Sequence, residues 1–125
     1  MSAEPPAKPG SILWHDLTVP NAESVRDFYA AVVGWAPEPV DMGGYSDFNM
    51  NDADGACQAG VCHNRGSNEH IPAQWMMYVK VADLDAAVKR VSELGGEMIG
   101  EVRGKPGSRY CAIRDPAGAV LSITE

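Results

Sequence analysis

Hydrophobic and polar positions along this chain follow two periods, and each period occurs twice. Residues 11–19, SILWHDLTV, read as a strand rich in β-branched and large apolar side chains. Pro20 and Asn21 supply a turn and a helix start, with Asn21 as the expected N-cap. Over residues 22–33, Val25, Phe28, Tyr29 and Val32 fall at i, i+3, i+4 and i+7, the spacing of one helical face, and Gly34 ends the run. Further along, WMMYVKV at 75–81 reads as a second strand. Asp83 can cap the helix after it, and Leu84, Ala87, Val88, Val91 and Leu94 repeat the helical spacing before Gly95 and Gly96.

The two copies can be aligned by counting. Val19 to Val81, Asn21 to Asp83, Val25 to Ala87, Tyr29 to Val91 and Gly34 to Gly96 are each separated by 62 positions. Three short strand candidates follow each helix. Their last turn recurs as Asp52-Ala-Asp-Gly55 and Asp115-Pro-Ala-Gly118, an offset of 63. In each turn the Asp side chain can bond local backbone and the Gly can take positive φ. The repeated unit is therefore βαβββ. One such unit cannot cover its own sheet faces, so two are expected to pack with their strands curled around a shared concavity. The fold class predicted is α+β: two tandem units, residues 11–63 and 75–125, forming a curled mixed sheet around a cup in a single domain, 11–125. Residues 1–10, with three prolines and no apolar run, read as a disordered tail that is neither signal peptide nor membrane segment.

Composition narrows the partners. At 125 residues and 45% hydrophobic, the chain has room for one core that needs no disulfide or structural metal. Its 17 acidic against 10 basic residues give a formal charge of −7, which opposes nucleic acid and anionic membranes. Cys57, Cys62 and Cys111 form no CxxC pair, and their odd number argues against a disulfide framework and for a reducing cytoplasm, with the thiols as small apolar filler.

Three segments in order, HDLTVPNAESVRDFYAAVVGW, YVKVADLDAAVKRVSELGG and RDPAGAVLSI, together with the duplicated βαβββ pattern, resemble the vicinal oxygen chelate superfamily and within it the glyoxalase-like, lactoylglutathione-lyase-related branch. The resemblance covers about residues 11–125. It implies a fold that hosts several chemistries, among them lyases, drug-binding resistance proteins and dioxygenases. In metal-dependent members His or Glu side chains on the first and last strand of each unit hold a divalent cation. Carried over by counting, those positions are Trp14, Met76, Ser122 and, by the internal repeat, Ala59. None is His, Glu or Asp. An indole or a thioether does not replace imidazole or carboxylate at such a site, so no metal is expected, and no other cofactor is assigned, since nothing in the basic residues specifically demands a thiol cofactor such as glutathione.

Strand parity then selects candidates. His15, Leu17 and Val19 share one face with the second strand's Met77, Val79 and Val81, the side that packs under the helices. Trp14, Asp16 and Thr18, with Met76, Tyr78 and Lys80, take the other. Asp16, between Trp14 and Thr18, is the candidate catalytic residue, because a partly apolar setting raises a carboxyl pKa and suits it to general acid or base work. Its ordinary alternative is a hydrogen-bonded carboxylate that fixes a neighbouring strand. Trp14, Thr18, Met76, Tyr78, Ser122 and Tyr110 are the candidate ligand contacts, with packing as the competing role for the aromatics and Met76. His63 shares parity with Ala59 and is thereby directed to the cup, although the polar run at 64–68 marks a strand end. Arg103, Lys105 and Arg109 surround a Gly-Pro loop that can attract an anion.

The expectation is a small-molecule-binding or small-molecule-transforming protein, probed by mutation of Asp16, that forms a homodimer. Two alternatives accompany it. One is a metal-dependent lyase or isomerase with a shifted site at His15 or His63. The other is a non-catalytic, resistance-type binder.

Overall fold

The computed structural model describes residues 7–125, which form eight β-strands and two α-helices, an α+β chain built from two βαβββ repeats. It contains two compact units: Trp14–Met76, here the N-unit, and Met77–Glu125 with the segment ending at Leu13, here the C-unit. Of the tail expected over 1–10, residues 1–6 lie outside the described residues. Gly10 N–H donates to the Lys80 carbonyl at 2.7 Å, and Lys80 N–H donates to Ser11 at 2.9 Å.

The N-unit follows from its periodicity. Strand β1 (Ile12–Val19) leads into helix α1 (Ala22–Val33), followed by β2 (Ala36–Asp41), β3 (Ser46–Asn51) and β4 (Cys57–His63). Their order is β2-β3-β4-β1, with β1 and β4 parallel and the other pairs antiparallel. The observed helix matches the predicted span. Gly34, at φ +84°, closes it by donating its N–H to the Ala30 carbonyl, the left-handed geometry that favours glycine. Asn21 occupies the N-cap, but its side chain makes no capping bond; instead Ser24 Oγ donates to the Asn21 carbonyl. The predicted apolar face divides. Val25 and Tyr29 pack on Leu17, Val19, Phe48, Met50 and Val61, with Trp35 and Trp75 beside them, whereas Phe28 and Val32 are 57% and 65% exposed.

The second repeat follows the same plan with β5 (Trp75–Lys80), whose first two residues close the N-unit, then α2 (Leu84–Glu93), β6 (Glu97–Arg103), β7 (Tyr110–Arg114) and β8 (Val120–Thr124) in the C-unit, β5 and β8 being parallel. Asp83 caps α2 as predicted, accepting from Ala86 N–H at 3.0 Å. Leu84 is buried with Cys111 and Ile123, and Ala87 and Val88 pack against them. The two Asp-x-x-Gly turns are near copies. Asp52 Oδ1 accepts from the Asp54 and Ala56 amides at 2.9 and 3.0 Å, and Asp115 Oδ1 accepts from Ala117 and Ala119 at 2.8 and 3.0 Å.

Candidate functional site

Register decides which side chains share a face. In the N-unit Asp16 is opposite Gly60, Leu17 opposite Val61 and Thr18 opposite Cys62. Leu17 and Val61 belong to the core under α1, so alternation sends Asp16, Thr18, Gly60 and Cys62 to the other side. Trp14 lies with them. A Cβ added at Gly60 would stand 3.3 Å from Trp14 Cζ2 and 3.4 Å from Asp16 Cβ, so the indole packs closely over a position where a side chain would be tight. On β3, Phe48 and Met50 face the core, which places Asp47 and Asn49 on the Asp16 side.

The position taken by counting at Ala59 is a correction. Ala59 pairs with Met50 and shares the α1-side face with Val61, and His63 follows the same parity. The reason is a bulge: Met50 pairs with Ala59 but Asn51 pairs with Cys57, so one extra residue sits in β4. Asp16 opposite Gly60 matches Tyr78 opposite Ser122, which restores the offset to 62 and makes Gly60 the repeat partner of Ser122. A one-residue slip turns a side chain to the opposite face.

In the C-unit, Tyr78 pairs with Ser122 and Tyr110 with Thr124, and the two tyrosine rings lie 6.1 Å apart. The Arg103 guanidinium stands 5.2 Å from the Tyr110 ring. Thr18, Met76 and Ser122 are buried, at 4%, 1% and 2% exposure. His15 is exposed. Trp75 is a packing residue, its indole N–H donating to the Tyr29 hydroxyl at 3.0 Å within the cluster of Tyr29, Trp35 and Trp75. Arg109, read from sequence as an anion attractor, is paired with Glu125 at 2.8 Å and Asp85 at 3.1 Å. A groove of about 480 Å³ in the C-unit lies along α2, lined by Ala87, Val91, Leu94, Ile113 and Ile123, on the helix side of the strands.

The electrostatics of the N-unit face centre on Cys62. Burial pushes its thiol up to about 12, and the charges of Asp16 and Asp47 and a hydrogen bond to Asp47 act in the same direction. Asp47 and Cys62 are functional candidates that sequence reasoning passed over. The alternation Asp47, Phe48, Asn49, Met50 carried the signal.

The residues at the positions assigned to a metal do not suit one. Trp14 and Gly60 in the N-unit, Met76, and Ser122 in the C-unit offer no imidazole or carboxylate, and the Trp14 indole fills the space above Gly60. Among the described residues, no group of three or more His, Cys, Asp or Glu is arranged to hold a metal ion. No helix of the described residues is long and apolar enough to cross a membrane.

Comparison with known proteins agrees with this architecture. The family model of a glyoxalase-like domain matches residues 13–124. The anthracycline biosynthesis protein DnrV of Streptomyces peucetius is 33% identical over 123 residues, 98% of this chain and 44% of that protein. The putative glyoxylase CFP32 of Mycobacterium bovis is 27% identical over 115 residues, 91% of this chain and 43% of that protein. The chain thus spans less than half the length of the curated relatives it matches. Among solved structures, methylmalonyl-CoA epimerase from Mycobacterium tuberculosis aligns with a TM-score of 0.52 at 20% identity, covering 93% of this chain and 87% of that one. A glyoxalase/bleomycin resistance protein/dioxygenase superfamily member from Vibrio splendidus aligns with a TM-score of 0.57 at 10% identity, covering 89% and 95%. At these identities the likeness to the solved structures is one of fold.

Proposed function

For a chain that belongs to the glyoxalase-like domain family, we propose a role in binding or transforming a small organic molecule without the family's usual metal ligands. The observation that carries this reading is the indole of Trp14 laid over Gly60 beside Asp16, on the face turned away from α1. A flat aromatic surface next to a carboxylate suits a planar ligand with a hydrogen-bond donor or a labile proton. Trp14 stacks, Thr18 and Asp16 bond polar groups, and in the enzymatic form Asp16 moves the proton of a lyase or isomerase step. Met76, the last residue of the N-unit, supplies apolar contact, and Tyr78, Tyr110 and Ser122 are the proposed ligand contacts of the C-unit.

The name of the Streptomyces peucetius relative, an anthracycline biosynthesis protein, makes an anthracycline the first probe. Quenching of tryptophan fluorescence reads its binding. Trp14→Ala is expected to weaken binding at least about tenfold, in line with the loss of a stacking partner, while Asp16→Asn keeps affinity and abolishes any turnover. Equal affinity in Trp14→Ala and the native protein refutes the site. Unchanged turnover in Asp16→Asn rejects Asp16 as the proton carrier. The same proposal places the protein in a reducing cytoplasm with Cys57, Cys62 and Cys111 as free thiols, which cell fractionation tests. It also assigns a homodimer, for which Phe28, Val32 and Val33 on α1 are exposed apolar surface; sedimentation of a pure monomer at micromolar concentration contradicts that part.

A further inference from the structure

The end of the β3–β4 ladder carries a group of side chains that the proposed ligand contacts do not use. Asp47 is 9% exposed. Its Oδ1 accepts the backbone N–H of His63 at 2.9 Å and lies 3.2 Å from Nδ1 of the same imidazole. The other ring nitrogen, Nε2, lies 3.3 Å from Oε1 of Glu23, which stands in the first turn of α1 with its side chain 62% exposed. Tyr45 meets the imidazole edge-on at 5.3 Å, and the Arg65 guanidinium stacks on Tyr45 at 3.8 Å. The charge of Asp47 also pushes the Cys62 thiol up. The Asp47 carboxylate is therefore bonded by His63, while Asp47 itself springs from the face of β3 that carries Asn49 opposite Gly60, the face of Asp16.

A neutral imidazole carries one N–H, so it donates to only one of two flanking carboxylates; with both nitrogens protonated it donates to both. Here each nitrogen faces a carboxylate oxygen, one buried and one in solvent. A proton entering the ring at one end can leave at the other.

We infer that Glu23, His63 and Asp47 form a proton relay linking the Asp16 face of the N-unit to solvent at the start of α1. The inference rests on the enzymatic form of the function proposed above and adds to it the route by which protons reach that face. A proton arriving on Asp47 passes to Nδ1 of His63; the Nε2 proton passes to Glu23 and on to water, leaving the ring as the Nδ1–H tautomer. A proton returning along the same path restores the Nε2–H tautomer. One proton out and one back is the balance of an isomerisation, which releases no net proton, so the relay serves that class of reaction without a ring flip. His63 and Glu23 are positioning residues in this scheme, acting through Asp47.

The test uses the whole, ligand-free chain with histidine labelled by ¹⁵N, and reads the protonation and solvent exchange of the His63 ring by NMR. Glu23 is exposed, so Glu23→Gln is expected to leave the backbone spectrum unchanged and to slow exchange of the His63 ring protons on the order of tenfold at least, because an amide does not take up the proton. Glu23→Asp restores part of the rate. Asp47→Asn is expected to shift the ring tautomer. Exchange in Glu23→Gln equal to that of the native protein overturns the relay, as does a ring tautomer that responds to neither substitution. Because no ligand is present, this outcome is independent of the Trp14→Ala binding result, and each reading can fail alone.

Discussion

Alkylation of Cys62 reads the electrostatics of the Asp16 face, because its thiol lies between two carboxylates and answers to both. Its pKa rises from 9.0 to about 12, through burial first and the charges of Asp16 and Asp47 after it. Roughly three units make the thiolate about a thousandfold scarcer near neutral pH. The more basic thiolate is also the better nucleophile, by about twentyfold over three units. The net expectation is alkylation by iodoacetamide roughly fiftyfold slower than for an unperturbed thiol, before any steric exclusion. Asp47→Asn removes one charge but leaves the burial and Asp16, so the rate is expected to rise only about threefold. Peptide mapping after timed labelling at pH 8 separates Cys62 from the exposed Cys57 and the buried Cys111. Labelling of Cys62 at the rate of an unperturbed thiol, or a rate that Asp47→Asn leaves unchanged, refutes the arrangement of Asp16, Cys62 and Asp47 on one face.

Two further predictions concern stability. Hydrogen bonds from the Arg109 side chain, then from the Arg109 and Gly107 amides, hold the Glu125 carboxyl down from 4.5 to about 2. A depressed folded-state pKa contributes stability that is present above 4.5 and lost as the pH falls towards 2, so Glu125→Gln should flatten the urea midpoint over that window; an unchanged acid slope contradicts the pairing. Met50, fully buried in the N-unit core, should cost about 2–5 kcal/mol on replacement by Ala in urea unfolding, and a loss below about 1 kcal/mol contradicts its placement.

Much of the fold is legible in the sequence because it is local. The span of α1, the Asp83 cap and both Asp-x-x-Gly turns depend on residues within a few positions of one another, and periodicity or turn chemistry identifies them. Register is less local. The internal offset of 63 leads to Ala59, and only the bulge in β4 shows that Gly60 is the facing residue. A single inserted residue has no composition signal of its own, yet it reverses the face of every side chain counted across it. Asp47 lies 16 residues from His63, a separation at which pairing depends on the whole β3–β4 hairpin and its turn. Asn21 illustrates the opposite case: its residue type suits a cap, but φ −115° and ψ 53° leave its side chain without the capping bond.

Trp14, Gly60 and Met76 in the N-unit and Ser122 in the C-unit supply no metal ligand set. Elemental analysis of protein purified without an affinity tag, then incubated with Zn, Ni, Mn or Fe and desalted, tests this most directly. Less than about a tenth of an equivalent of any of these metals is expected to be retained, because imidazole and carboxylate donors are missing there. One equivalent held tightly, and lost on replacement of side chains at those positions, would contradict it.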